Sequence, residues 1–101
     1  MFTQEEYDRL VEAMKSGEYV KNSVDFVQWD RETGIYSYCI LGLAAHVNGQ
    51  DESYYYEESN PICIALVDEN DKEDDKDFIR MLACVERYKD ELIDEGPTCK
   101  N

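Results

Sequence analysis

The sequence predicts an α+β domain, a small antiparallel β-sheet of three to four strands flanked by an N-terminal and a C-terminal helix. Three observations predict it. Apolar residues recur at helical spacing near both ends of the chain, the middle is rich in β-branched and aromatic residues, and turn-forming residues interrupt that middle at short intervals. A chain of 101 residues supports one modest core, so residues 1–96 read as one domain and residues 97–101 as a tail.

Thr3-Gln4-Glu5-Glu6 has the form of a capping box, in which the Thr3 hydroxyl accepts from an early backbone N–H and Glu6 reaches back. Tyr7, Leu10, Val11 and Met14 follow on one face, with Glu5, Asp8, Glu12 and Lys15 opposite, and Gly17 is a stop, so a helix is expected over residues 3–16. Tyr19 to Trp29 lacks a helical stripe and reads as a strand. Asp30-Arg31-Glu32-Thr33-Gly34 is a polar turn, and Ile35 to Val47 resumes as a second strand, with Gly42 as a bulge or kink. Asn48-Gly49 is a type I′ hairpin signal, which makes Glu52 to Glu58 the returning strand. A second reading stays open: Cys39 to Val47 as a short buried helix with Asn48-Gly49 as its C-cap, since periodicity does not separate the two in so short an apolar run. Asn60-Pro61 breaks the chain, Ile62 to Val67 reads as a buried strand, and Asp68 to Asp77 is a charge run. Phe78, Ile79, Leu82, Val85, Tyr88 and Leu92 then mark a closing helix from about Asp74 to the stop at Gly96-Pro97, with the preceding acids suited to its positive end.

Charge narrows the function. There are 24 acids and 10 bases, a net charge of −14, and the pI is near 4.2. Direct binding to nucleic-acid phosphates needs clustered Lys and Arg, which are missing here. The longest apolar stretch, Cys39 to Val47, is about half of the roughly 20 residues of a membrane span, and no secretory signal pattern occurs. Cys39, Cys63 and Cys84 sit in apolar runs and read as reduced core thiols of a cytoplasmic protein, with Cys99 exposed in the tail.

Chemistry finds little support. From Asp68, the fifth, sixth and twelfth positions of an EF-hand loop are Lys72, Glu73 and Ile79; from Asp71, the sixth and twelfth are Lys76 and Leu82, so both registers fail. There is no Cys-x-x-Cys and His46 is the single histidine, which argues against zinc. A Cys39–His46 nucleophile pair would be roughly 10 Å apart along a helix or about 23 Å apart on a strand, too far for either to activate the other. With so many acids, carboxylate pairs at any spacing arise by chance, and the glycines form no phosphate loop. The expectation is a non-enzyme with no metal or cofactor.

What stands out is an acidic stripe. Asp51 to Asp77 holds eleven acids and two bases, a net −9 over 27 residues. Such a field attracts proteins with a basic cleft. Asp51, Glu52, Glu57, Glu58, Asp71, Glu73, Asp74 and Asp75 are the candidates to stand in for backbone phosphates, and Tyr54, Tyr55 and Tyr56 are the candidate anchors. On a strand, Tyr54 and Tyr56 would share one face and Tyr55 the other. The expected partner is a basic nucleic-acid-binding protein, with neither nucleic acid nor membrane bound directly. The alternative is an adaptor or toxin-neutralising partner that makes a largely apolar contact, its acids serving solubility.

The helix-first start at Thr3 to Met14, the meander through Asn48-Gly49, the acidic segment and the closing helix together resemble small acidic inhibitors encoded by phages and mobile elements, including anti-CRISPR and anti-restriction proteins. The likeness spans most of the chain in architecture and charge. It implies an inhibitor acting in a host cytoplasm and assigns no residue a role, because that class shares no motif. Tyr38-Cys39-Ile40-Leu41-Gly42-Leu43 is also similar to a Cys-x-x-Gly run of small bacterial and phage proteins, which implies a helix there.

Overall fold

A computed structural model describes residues 1–94. The architecture is α+β, with a three-stranded sheet and helices at both ends of the described chain. Helix α1 spans Gln4–Ser16, and its capping box forms as expected: the Glu6 N–H donates to Thr3 Oγ1 at 3.1 Å and the Thr3 N–H to Glu6 Oε1 at 2.9 Å. Gly17 ends it with φ +76, a left-handed conformation that glycine adopts without a steric cost.

The sheet comprises β1 (Val20–Lys21), β2 (Val27–Asp30) and β3 (Ile35–Tyr38), in the order β1-β3-β2. The long strand expected over Tyr19 to Trp29 is therefore two short ones. β2 and β3 form the expected hairpin through residues 31–34, with Trp29 opposite Tyr36. β1, by contrast, runs parallel to β3. The sheet is mixed, because the chain between β1 and β2 carries β2 round to the far side of β3.

Two expected strands, Glu52 to Glu58 and Ile62 to Val67, are not strands, and a third, Ile35 to Val47, is one only as far as Tyr38. Past Tyr38 the chain turns into helix α2 (Ile40–Val47), where Ile40, Leu41, Leu43, Ala44 and Ala45 are all fully buried. A helix whose first six residues are all buried shows no polar face there, which is why its sequence also fits a buried strand. Gly42 is neither bulge nor kink. A Cβ there would lie 1.9 Å from the Phe26 carbonyl oxygen, so only glycine lets α2 approach the chain leading into β2. Asn48 caps α2, and its amide reaches the Ala44 and Glu6 carbonyls, so Asn48-Gly49 closes a helix instead of turning a hairpin. Residues 51–59 follow as turns.

Helix α3 (Pro61–Lys72) replaces the strand expected over Ile62 to Val67. Pro61 occupies the first turn, and the Asn60 side chain accepts from the Ile62 and Cys63 N–H groups. Cys63, Leu66 and Asn70 form its buried stripe. The closing helix starts later than expected and is broken: α4 spans Ile79–Arg87 and α5 Lys89–Leu92. Asp77 accepts from the Ile79 N–H, in keeping with acids at the positive end. The stop at Gly96-Pro97, the tail over 97–101 and Cys99 lie outside the described residues. Phe2, fully buried, bridges to Ile93 and joins the two ends of the described chain.

The core lies among the helices. α2 packs against α1, α3 and β3, while α4 packs against α1 and α3. At its centre Asn70, fully buried, accepts from the Ile40 N–H at 2.9 Å and donates to the Asn22 carbonyl at 3.0 Å. One side chain thus caps α2 from α3 and secures the loop after β1.

Candidate functional site

The acidic stripe divides into two segments, one in the turns between α2 and α3, the other at the end of α3 and beyond. Asp51, Glu52, Glu57, Glu58, Asp71 and Glu73 are all exposed, and among the described residues none forms an ion pair. Asp74 is exposed but lies 3.8 Å from Lys76.

Asp75 belongs to a different structure. Its Oδ1 sits 2.7 Å from Nζ of Lys21, whose side chain is wholly buried, and 3.3 Å from Arg80. Arg80 also holds Glu69 at 2.7 Å, and Lys21 Nζ donates to the Glu73 carbonyl at 3.1 Å. Burial alone would raise the Asp75 pKa, but the hydrogen bonds from Lys21 and Arg80 win and hold it below the usual 3.8. Hydrogen bonds from Lys72 and Arg80 lower Glu69 likewise, against the opposing effect of burial. Part of the run Asp68–Asp77 is therefore an internal clamp tying the end of α3 to β1 and α4. Asp75 is not a free phosphate substitute.

The tyrosines separate as well. Tyr54 and Tyr56 are 56% and 44% exposed, whereas Tyr55 is 4% exposed and packs edge-on against Phe2 at 4.7 Å. The alternation expected of a strand is kept, but a turn produces it. Tyr55 is a core residue, so it offers no surface anchor, and the expectation for it is corrected. Its hydroxyl has no hydrogen-bond partner of good geometry; burial, then the nearby Glu6 charge, push its pKa far above 10. The turn is tied down by sulfur, since Cys63 Sγ accepts from the Glu57 N–H at 3.3 Å and faces the Tyr55 carbonyl at 3.9 Å.

One place unites the two acidic segments. Tyr56 from the first and Asp71 from the second line the same cavity of about 370 Å³, between the loop before β2 and the start of α2. Val24, Asp25, Phe26, Cys39 and Val67 complete most of its wall. Tyr56 stands edge-to-face with Phe26, ring centroids 5.8 Å apart. Asp25 and Phe26 carry no motif that singles them out; only the fold carries them to Tyr56.

The three described thiols are free, and burial raises the pKa of Cys39, Cys63 and Cys84. Cys39 caps α2, its Sγ accepting from the Gly42 N–H at 3.4 Å, and His46 lies at the other end of that helix against Tyr38. No group of three or more metal-ligating side chains converges among the described residues. No described helix is long and apolar enough to cross a membrane.

A second exposed surface escaped the sequence reading. Trp29 and Tyr36, a cross-strand pair with ring centroids 4.7 Å apart, are each about half exposed on the β2–β3 hairpin. Their symmetric placement about the Asp30–Gly34 turn was the available signal. No family model, curated protein or solved structure matches this chain.

Proposed function

We propose that the protein is a non-enzymatic inhibitor of a basic nucleic-acid-handling host protein, such as a CRISPR effector or nuclease. Its acidic surface would occupy the groove that nucleic acid fills. One observation supports this above the others: six carboxylates without ion pairs among the described residues lie in two segments that meet at the cavity between Tyr56 and Asp71. Carboxylates already neutralised by internal cations have nothing to offer a basic cleft, and these six are not so neutralised. Tyr54 and Tyr56 add exposed aromatic area suited to Arg side chains. A bacterial host cytoplasm is the compartment that goes with such a target.

The test is capture of partners from bacterial lysate, with elution along a salt ramp and competition by added DNA or RNA. The expected result is a nucleic-acid-binding protein that elutes at moderate salt and is displaced by nucleic acid. Glu57→Lys with Glu58→Lys should weaken its affinity by about tenfold or more. Retention through high salt together with indifference to nucleic acid overturns the proposal. That outcome favours an adaptor or toxin-neutralising contact through the exposed Trp29–Tyr36 pair, in which case Trp29→Ala abolishes capture.

A further inference from the structure

The cavity joining the two acidic segments has features of a side-chain receptor. Its volume, about 370 Å³, lies at the small end of the roughly 300–1,000 Å³ of ligand pockets, suited to one long side chain and not to a cofactor. Its apolar wall comes from Val24, Phe26, Ile40 and Val67, and the aromatic edge from Tyr56. Two carboxylates, Asp25 and Asp71, stand among these groups, both exposed and neither in an ion pair among the described residues.

The walls are held in advance. Asn22 Oδ1 accepts from the Val24 and Asp25 N–H groups at 2.8 and 3.0 Å, which fixes the loop carrying Asp25. The Asn70 amide donates to Asp71 Oδ1 at 3.0 Å while its other contacts cap α2 and hold Asn22. A receptor already ordered before binding spares its ligand the entropy of ordering it.

We infer that this cavity receives an arginine side chain from a basic protein partner, its aliphatic stem against Val24 and Val67, its guanidinium laid against the Phe26–Tyr56 aromatic pair and facing Asp25 and Asp71. The inference rests on the proposed acidic-surface function and names its anchor point. Charge complementarity selects a cation, and the aromatic walls select a flat, weakly hydrated one. A guanidinium stacks on rings and forks to carboxylates, whereas an ammonium is compact and strongly hydrated.

The test is a 1H–15N NMR titration of the full chain with hexa-arginine and, in parallel, with hexa-lysine, at about 0.15 M salt, where surface attraction is partly screened. Hexa-arginine should move the Phe26, Cys39, Tyr56 and Val67 resonances and bind about threefold or more tighter than hexa-lysine. Asp25→Asn with Asp71→Asn should weaken hexa-arginine by about fivefold or more with the spectrum otherwise folded. Binding of both peptides with equal affinity, with shifts confined to residues 51–58, overturns the cavity assignment and leaves the acidic-surface proposal standing. The absence of any binding by either peptide overturns both.

Discussion

Gly42 is the residue on which the packing of α2 depends most directly. The Phe26 carbonyl that a Cβ would strike also accepts the Cys39 N–H at 3.1 Å, so the obstacle is backbone already engaged in a hydrogen bond. Neither side can yield without breaking that bond or moving a helix whose first six residues are all buried. Gly42→Ala, ordinarily a favourable change inside a helix, should here destabilise the protein by about 2–3 kcal/mol or more through overpacking. Urea denaturation followed by circular dichroism measures this. An unchanged or raised midpoint would mean that α2 does not approach Phe26 so closely. Asn70 acts at the same scale by a different means, since it satisfies a helix N–H and a loop carbonyl that no water could reach.

Among the elements, the junction of α3, β1 and α4 is joined by charge. Lys21 is wholly buried and relies on Asp75, so Asp75→Asn strands a cation and should cost roughly 2–3 kcal/mol. That is below the 3–5 typical of breaking a buried pair, because Asp75 is about a quarter exposed. Adding Lys21→Met should recover part of the loss. The clamp also sets an acid limit. The folded-state pKa values of Asp75 and Glu69 are depressed from 3.8 and 4.5, so their contributions are present above those values. They are lost as pH falls through the depressed ones. Urea midpoints measured between about pH 6 and pH 3 should fall steeply for the parent and less for Asp75→Asn. Parallel curves for the two would remove the clamp from the acid response.

At the scale of the whole molecule the net charge is −14, and six carboxylates of the acidic stripe stand outside any ion pair among the described residues. Mutual repulsion among Asp51, Glu52, Glu57, Glu58, Asp71 and Glu73 opposes the compact state, and salt screens it. Raising NaCl from about 0.02 to 0.5 M should therefore raise the melting temperature by about 3–6 °C, equivalent to somewhat under 1 kcal/mol for a domain of this size. The same screening should weaken partner binding. Opposite responses of stability and affinity to one variable are what an acidic docking surface requires. A melting temperature that falls with salt would show that the clamp's attraction outweighs the surface repulsion.

Sequence alone determined the features whose causes are local. The capping box at Thr3 and Glu6, the stop at Gly17, the turn over Asp30–Gly34 and the excess of acids each depend on a few neighbouring residues, and each is where the sequence put it. The tertiary structure decided what depends on surroundings. Ile40 to Val47 is a helix whose burial from several sides removes the polar face that periodicity needs. Ile62 to Val67 is a helix whose unbroken apolar run hides its stripe, Ile64 being exposed while Cys63 and Leu66 are buried. The caps at Asn60 and Asn48 act locally but serve turns equally well. Asp75 and Tyr55 belong to the interior, and only the positions of Lys21 and Phe2, more than fifty residues away in sequence, make them so. The meeting of Tyr56 with Asp71, Asp25 and Phe26 is of the same kind. A cavity exists only between elements, so no single stretch of sequence can announce it.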